Sequence, residues 1–190
     1  MSEEIDLEEL LLEAEEKMNK SVHVFDSELS KIRTGRASTA LVEHIMVDYY
    51  GTQTPINQLA TISTPEARTI LIQPWDMNAI GDIEKAIMTS DLGVTPSNDG
   101  KVIRIGIPLL TEERRKELVK HVSKVAEDYR VSVRQIRKDM NHKIKEAEKE
   151  QHIAEDEVKK NLNNIQELTD NFIQKINERL ERKEKEILEV

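Results

Sequence analysis

Seven basic side chains recur at helical spacing in the second half of the chain, and three arginines form the densest part of the series. Arg130, Arg134 and Arg137 are separated by steps of four and three, which places their guanidinium groups on one face of an α-helix. We call this face the basic stripe, and it consists of Lys116, Lys120, Arg130, Arg134, Arg137, Lys138 and Lys145. Guanidinium groups stay charged at all relevant pH and bind phosphate oxygens in pairs. The stripe therefore favours contact with a nucleic-acid backbone.

The charge balance of the chain makes this stripe unusual. The protein has a formal net charge of −9, and its first thirty residues carry ten acidic and only two basic groups. Residues 111–145 carry eleven basic and six acidic groups. Such segregation of sign indicates a binding surface. Charge alone also fits an ordinary solvated helix face, and Glu127 lies within the stripe, so both interpretations stay open at this point.

Motifs for covalent, metal or nucleotide chemistry are absent from the sequence. It contains no GxxxxGK[ST] phosphate loop, no GxGxxG fingerprint, no HExxH and no cysteine. The five histidines form no recognisable pair of metal ligands. We therefore expect neither an enzyme, nor a catalytic residue, nor a metal or other cofactor. Trp75, beside Pro74, is expected to be a packing anchor rather than a platform for stacking bases.

The elements that position the stripe follow from hydrophobic periodicity. Apolar residues at steps of three and four predict three long helices, over about 7–32, 111–147 and 153–187. Thr111 is the predicted N-cap of the second helix, and Gly35 the predicted end of the first. Residues 34–108 contain all six glycines and all five prolines, with strand-like runs at 44–50, 69–72 and 102–105 and a short helix at 79–89.

The predicted fold is α+β. The three helices form an elongated bundle, domain I, from residues 1–34 and 109–190, and a small β/α/β domain, domain II, is inserted at residues 35–108 between the first two helices. Two chain crossings join the parts, near Thr34–Gly35 and Pro108–Leu109. An acidic N-terminus and the lack of an apolar run of about 20 residues predict a soluble, intracellular protein without a secretory signal. We also expect it to be cytoplasmic and a monomer.

Several specific strings occur along the chain. They are Lys31-Ile32-Arg33-Thr34-Gly35-Arg36-Ala37-Ser38, Tyr49-Tyr50-Gly51-Thr52 with Pro55, Glu84-Lys85-Ala86-Ile87-Met88, Ser90-Asp91-Leu92-Gly93, Pro108 with Leu110-Thr111-Glu112-Glu113-Arg114-Arg115-Lys116, and Val133-Arg134-Gln135-Ile136-Arg137-Lys138-Asp139. Together these strings resemble the bacterial ribosome recycling factor family. They occur in the family's order over essentially the whole sequence, which makes chance recurrence implausible.

The resemblance implies an L-shaped, two-domain protein with an outline similar to that of tRNA. A member of this family binds the post-termination ribosome, including large-subunit ribosomal RNA. With elongation factor G and GTP it splits the subunits and releases mRNA and tRNA, and the partner hydrolyses the GTP. No small-molecule substrate and no membrane is involved.

Carried over position by position, the resemblance also implies roles for individual residues. Arg137 matches the arginine most important for ribosome binding, and Arg134 matches a neighbouring RNA contact. The implied RNA-binding residues are Arg33, Arg115, Arg130, Arg134, Arg137 and Lys138. For Arg33, Arg36 and Arg115 a hinge or surface ion pair is an equal alternative. The implied interdomain hinge consists of Thr34, Gly35, Arg36, Ala37, Pro108, Leu109, Leu110 and Thr111.

Two positions depart from the family pattern. Leu109 stands where many members have a second proline, which would loosen the hinge. Ala154 stands where many have a serine at the start of the third helix, so Asp156 or a water molecule would have to replace the cap. The alternative function, from a different class, is a structural helical bundle that binds an acidic protein through the stripe.

Overall fold

The structure, a computed structural model, describes residues 6–189. The acidic residues 1–5, on which the absence of a secretory signal partly depends, lie outside this range. In chain order the elements are α1 (Leu7–Ser30), β1 (Met46–Tyr49), β2 (Thr52–Pro55), β3 (Ala60–Glu66), β4 (Thr69–Pro74), α2 (Ile80–Thr89), β5 (Ser97–Asn98), β6 (Ile103–Gly106), α3 (Glu112–Gln151) and α4 (Glu155–Leu188). Within residues 6–189, no helix is long and apolar enough to cross a membrane.

The chain forms two compact units. One contains the residues up to Leu29 and from Lys116 onward, and the other contains Ser30–Arg115. The second unit is therefore a few residues longer at each end than the predicted domain II, residues 35–108. We call the first the bundle unit and the second the inserted unit. The mixed class, with long helices and a small inserted sheet domain, confirms the predicted fold class.

The bundle unit is held together by apolar residues from three helices. One cluster joins Ala14 of α1, Met140 and Ile144 of α3, and Val158 and Ile165 of α4, all at most 4% exposed. Residues at steps of three and four supply these contacts, as the apolar periodicity predicts. Burying one face of α3 in this way leaves the rest of its surface for the basic stripe.

The inserted unit packs one helix against an antiparallel sheet. The sheet has the strand order β3-β4-β6-β5, and β1 and β2 form a separate hairpin. Ile70 and Ile72 of β4 lie opposite Ile105 and Ile103 of β6, so four buried isoleucines share one face. Helix α2 adds Ile83 and Ile87 to the same core. Strand alternation thus supplies a second hydrophobic core that is separate from that of the bundle unit.

The sequence missed half of the strands. The runs at 44–50, 69–72 and 102–105 correspond to β1, β4 and β6, but β2, β3 and β5 are not among the predicted strand-like runs. These three strands are rich in polar residues. β3 pairs only with β4 and includes Pro65, which an edge strand tolerates because its outer N–H groups need no partner strand.

Two local predictions were wrong. Trp75 is 66% exposed, so it is not a packing anchor; its indole N–H donates to Thr61 Oγ1 at 3.0 Å. Helix α1 ends at Ser30, five residues before Gly35. Gly35 does adopt the left-handed conformation, at φ +80°, but there it packs against Leu110 rather than capping the helix.

The N-termini of α3 and α4 are capped differently. Thr111 caps α3 as predicted, because its Oγ1 accepts a hydrogen bond from the Arg114 N–H at 3.2 Å. At the start of α4, Ala154 offers no side-chain cap, and its carbonyl accepts from Glu157 and Val158. The first turn of α4 contains three acidic residues, whose negative charges stabilise the helix by interacting with the positive end of its dipole.

Candidate nucleic-acid interface

Helix α3 carries the arginines of the basic stripe along its seam with α4. Val133 of α3 is fully buried, while the side chains of Arg130 and Arg134 remain 18% and 43% exposed. Arg130 Nε donates to Asn177 Oδ1 at 2.7 Å, and Asn177 belongs to α4. The polar face of α3 is therefore braced by α4, and the guanidinium of Arg130 is held in one orientation.

Arg137 is oriented in the same way about two turns further along. One of its terminal nitrogens donates to Gln166 Oε1 at 3.1 Å. Gln166 in turn donates through Nε2 to Asp170 Oδ1 at 2.9 Å. A guanidinium has five N–H donors. Each of these arginines can therefore keep its contact with α4 and still donate to a phosphate.

Glu127 is the internal counter-ion of the stripe. Its Oε2 accepts from Arg130 at 2.9 Å and its Oε1 accepts from Arg134 at 2.9 Å. These hydrogen bonds, that from Arg130 first, hold the pKa of the Glu127 carboxyl below its usual value. The carboxylate thus lowers the local positive charge, but it also fixes the spacing of two guanidinium groups. The residue that interrupts the stripe in the sequence organises it in the structure.

Lys138 lies at the far end of the arginine cluster, beside a shallow surface depression. Two basic residues of the stripe, Arg137 and Lys145, line the same depression. Asp139 is also there, and it accepts a hydrogen bond from Gln135 Nε2 at 2.7 Å. The structure thus brings together Arg130, Arg134, Arg137 and Lys138 on one helix of the bundle unit.

Arg33 and Arg115, the other two predicted RNA contacts, belong to the inserted unit instead. The Arg33 guanidinium donates to the backbone carbonyl of Leu92 at 2.6 Å and to that of Asp91. It thereby holds the segment that follows α2. Arg115 is half-buried in the first turn of α3, where its N–H donates to the Thr111 carbonyl at 3.0 Å. The structure does not place these two arginines in the same compact unit as the stripe.

Ala37, in the first predicted hinge segment, and Ile107, the residue directly before the second, bond to the same turn of the inserted unit. The Ala37 N–H donates to the Ala67 carbonyl at 2.7 Å, and the Ile107 N–H donates to the neighbouring Arg68 carbonyl at 2.8 Å. A Cβ on Gly35 would lie 3.2 Å from Leu110 Cγ, which is closer than ordinary packing allows. Thr34 is buried, whereas Leu109 is 57% exposed. The segments are therefore packed together, with Leu109 outside the contact.

Sequence reasoning missed the residues that orient the arginines. Asn177 and Gln166 lie on the polar side of α4 and resemble any solvated helix residue. Their role depends on the register between α3 and α4, which the apolar stripes constrain only loosely. Glu127 was visible in the sequence, but only as an exception to the charge pattern.

Comparison with known proteins agrees with the motif strings. The family model for ribosome recycling factor matches residues 25–188. This chain belongs to the ribosome recycling factor family. It is 57% identical over 184 residues to the ribosome-recycling factor of Oleidesulfovibrio alaskensis, covering 97% of this chain and 100% of the relative. It is 53% identical to that of Carboxydothermus hydrogenoformans with the same coverage.

Solved structures of family members have the same fold. A solution structure of ribosome recycling factor superposes with a TM-score of 0.79 at 48% identity, covering 98% of this chain and 99% of the other. Another match, at TM-score 0.69 and 48% identity, covers 97% and 100%. It is the T. thermophilus ribosome recycling factor, bound with E. coli elongation factor G to the E. coli post-termination complex. The predicted family is thus confirmed.

Proposed function

We propose that this chain recycles ribosomes after termination. It binds the post-termination ribosome and, with elongation factor G and GTP, separates the subunits so that mRNA and tRNA are released. The observation that carries this conclusion is family membership over nearly the full chain, together with the related factor placed beside elongation factor G on such a ribosome. The chain acts as a translation factor and not as an enzyme.

We infer that the basic stripe is the surface that binds large-subunit ribosomal RNA. Arg130, Arg134 and Arg137 support this role because contacts with α4 and Glu127 hold them in place before binding. Lys138 extends the cationic surface by one residue. Preorganised guanidinium groups lose less conformational entropy when phosphates bind. Arg33 and Arg115 are weaker candidates, since the bonds of Arg33 support the inserted unit.

We infer that the movement is made by domain II, residues 35–108, relative to domain I, residues 1–34 and 109–190. Its hinge would be residues 34–37 and 108–111. The hydrogen bonds of Ala37 and of Ile107, the residue directly before the second hinge segment, support this inference, because they attach both ends of the insertion to one turn of its sheet. Elongation factor G would push or rotate domain II while the stripe holds the RNA. The partner hydrolyses GTP, and this chain contributes position and leverage.

The cytoplasm is the proposed location, because the chain belongs to the ribosome recycling factor family and ribosomes translate there. The proposed active form is a monomer. A bundle that only binds an acidic protein, the alternative considered above, is not favoured by any contact in the described residues and leaves the family membership unexplained.

Subunit splitting followed by light scattering tests the proposal. Purified chain, elongation factor G and GTP are mixed with post-termination complexes, and the fall in scattering is compared with reactions that lack the chain or lack the elongation factor. The proposal predicts rapid splitting only in the complete mixture. Splitting no faster than in the reaction without the chain would contradict it.

A further inference from the structure

An aromatic cluster is exposed on the inserted unit although the protein has few aromatic residues. Tyr50 is 78% exposed and Trp75 is 66% exposed, in a chain with one tryptophan, three tyrosines and two phenylalanines. Met77, two residues after Trp75, is also more than half exposed. Large apolar side chains grouped in this way on a surface commonly mark a binding site.

A side-chain hydrogen bond joins the tyrosines of the β1–β2 hairpin to the segment that contains Trp75. The Tyr49 ring packs edge-on against Tyr50, with centroids 4.6 Å apart, and the Tyr49 hydroxyl donates to Asp76 Oδ2 at 2.9 Å. Asp76 directly follows Trp75, whose backbone N–H donates to the Leu59 carbonyl at 3.1 Å. We call the group Tyr49, Tyr50, Trp75, Asp76 and Met77 the acidic aromatic patch.

Tyr50 occupies a backbone conformation that aromatic residues rarely adopt. It has φ +50°, and the next residue, Gly51, has φ +83°, within the two-residue turn that joins β1 and β2. Asparagine and glycine are the residues that favour this type of turn, and a bulky residue there costs about 1 kcal/mol. Within the chain, the Tyr50 ring packs against Tyr49 and its hydroxyl interacts with Asp76, which holds the exposed ring beside this carboxylate. Strained residues of this kind are concentrated at ligand-binding sites.

The charge around the patch is negative. Segments 46–61 and 69–79, which contain the patch, include Asp48 and Asp76 but no lysine or arginine. Asp76 Oδ1 accepts from the Asn78 N–H at 2.9 Å and Oδ2 from the Tyr49 hydroxyl at 2.9 Å, so the carboxylate is fixed in place. These hydrogen bonds, that from the Asn78 N–H first, lower the pKa of Asp76 and keep it negatively charged. A negative surface repels phosphates, which disfavours RNA as the ligand.

We propose that the acidic aromatic patch binds arginine side chains of a basic segment on a partner protein. A guanidinium group stacks on the exposed face of Trp75 or Tyr50 and donates to the carboxylate of Asp76. Arginine fits because its planar cation makes both contacts at once, stacking on aromatic rings and forming charge-assisted hydrogen bonds. This site is separate from the basic stripe, and it does not depend on the proposed recycling function.

Trp75 reports binding directly, since it is the only tryptophan in the chain. The full chain is titrated with an acetylated peptide of alternating glycine and arginine while tryptophan emission is recorded. Matched probes are the same peptide with citrulline in place of arginine, and a short oligouridine. We expect a saturable change with the arginine peptide, and affinity at least about tenfold weaker for citrulline, which keeps the shape but lacks the charge.

Two variants separate binding from folding. Tyr50→Asn removes the ring but suits the left-handed turn, so thermal stability should stay equal or rise while peptide affinity falls about tenfold. Asp76→Asn keeps an acceptor for the Asn78 N–H and removes the charge, with a similar loss. Met88→Ser, an exposed apolar residue of α2 outside the patch, is the control and should bind like the parent.

Several outcomes would overturn the proposal. They are no emission change with the arginine peptide, equal responses to arginine and citrulline, tighter binding of oligouridine, or parental affinity in both patch variants. Emission that changes on dilution of the chain alone would identify a second copy as the occupant and would also overturn it. Subunit splitting is measured separately, so failure here is distinguishable from failure of the recycling function.

Discussion

The basic stripe and the acidic aromatic patch are both exposed, but they are built in opposite ways. The stripe follows one helix, and its arginines are held by neighbours three to seven residues away and by α4. The patch brings together a hairpin turn and the end of a strand about 25 residues later in the chain, joined by the hydrogen bond between Tyr49 and Asp76. Helical periodicity therefore builds the bundle surface, and a side-chain hydrogen bond between a separate hairpin and the end of β4 joins the surface of the inserted unit.

The largest expected effect concerns the basic stripe of the bundle unit. Replacing Arg134 and Arg137 together with alanine should weaken ribosome binding by more than about a hundredfold, since each charge-assisted contact contributes roughly 1–3 kcal/mol. Pelleting with purified ribosomes over a series of salt concentrations measures this loss. Arg182→Ala is the matched control, because it removes an exposed arginine from a different helix, α4. Melting temperature should change little, and unchanged affinity in the double variant would remove the stripe from the binding surface.

On the side of the inserted unit, Gly35→Ala should destabilise the protein by about 1–3 kcal/mol. The left-handed backbone is strained for alanine, and the new Cβ would lie 3.2 Å from Leu110 Cγ. Gly81→Ala is the control, because that glycine lies in α2 with nothing within 4 Å of an added Cβ and alanine favours helix. Thermal unfolding should separate the two variants. Equal stability would mean that residues 35 and 110 do not pack as described.

Arg33 tests whether a single arginine supports the inserted unit or binds ribosomal RNA. Arg33→Lys keeps the charge but loses the planar fork that reaches the carbonyls of Leu92 and Asp91. If Arg33 mainly supports the inserted unit, stability should fall by about 1–2 kcal/mol while ribosome affinity per folded molecule is retained. Combined melting and ribosome-pelleting measurements decide. Normal stability with weakened binding would return Arg33 to the RNA-binding set.

Glu127→Gln sharpens the description of the stripe. Removing the carboxylate releases Arg130 and Arg134 from their counter-ion, so ribosome affinity at low salt should rise about threefold and depend more steeply on salt. Fluorescence anisotropy of labelled chain on ribosomes is sensitive enough for this change. Weaker binding would show instead that Glu127 contributes more by fixing the arginines than it subtracts by its charge.

The smallest expected effect is a pH-dependent one within the bundle unit. Glu13 of α1 binds Lys17 at 2.6 Å and Lys143 of α3 at 2.9 Å, and these hydrogen bonds lower the pKa of its carboxyl. A lowered pKa in the folded state stabilises the protein above the unfolded value of 4.5, and this stabilisation is lost as pH falls through the folded value. Glu13→Gln should therefore cost about 0.5 kcal/mol at pH 7 and nothing in acid. Melting curves at both pH values test this, and a difference that persists in acid would exclude the ion pairs as its cause.

Features set by spacing along one helix could be predicted from the sequence, and features set by packing between distant segments could not. Three helices, the inserted unit and the arginines of α3 follow from spacing, because a helix places residues i, i+4 and i+7 on one face. Asn177 and Gln166 could not be assigned, since their contacts depend on how α3 and α4 align. The exposure of Trp75 was also missed, because an apolar residue beside Pro74 gives no sign of which face of a strand end it occupies. Gly35 was recognised as left-handed, but its partner, Leu110, is 75 residues away in the chain.

A cryo-EM map of the chain on a post-termination ribosome tests the central claim most directly. We predict that the guanidinium groups of Arg130, Arg134 and Arg137 lie within hydrogen-bonding distance of large-subunit RNA phosphates, with α3 along the RNA. A map in which this face of α3 points to solvent, or contacts only ribosomal protein, would contradict it.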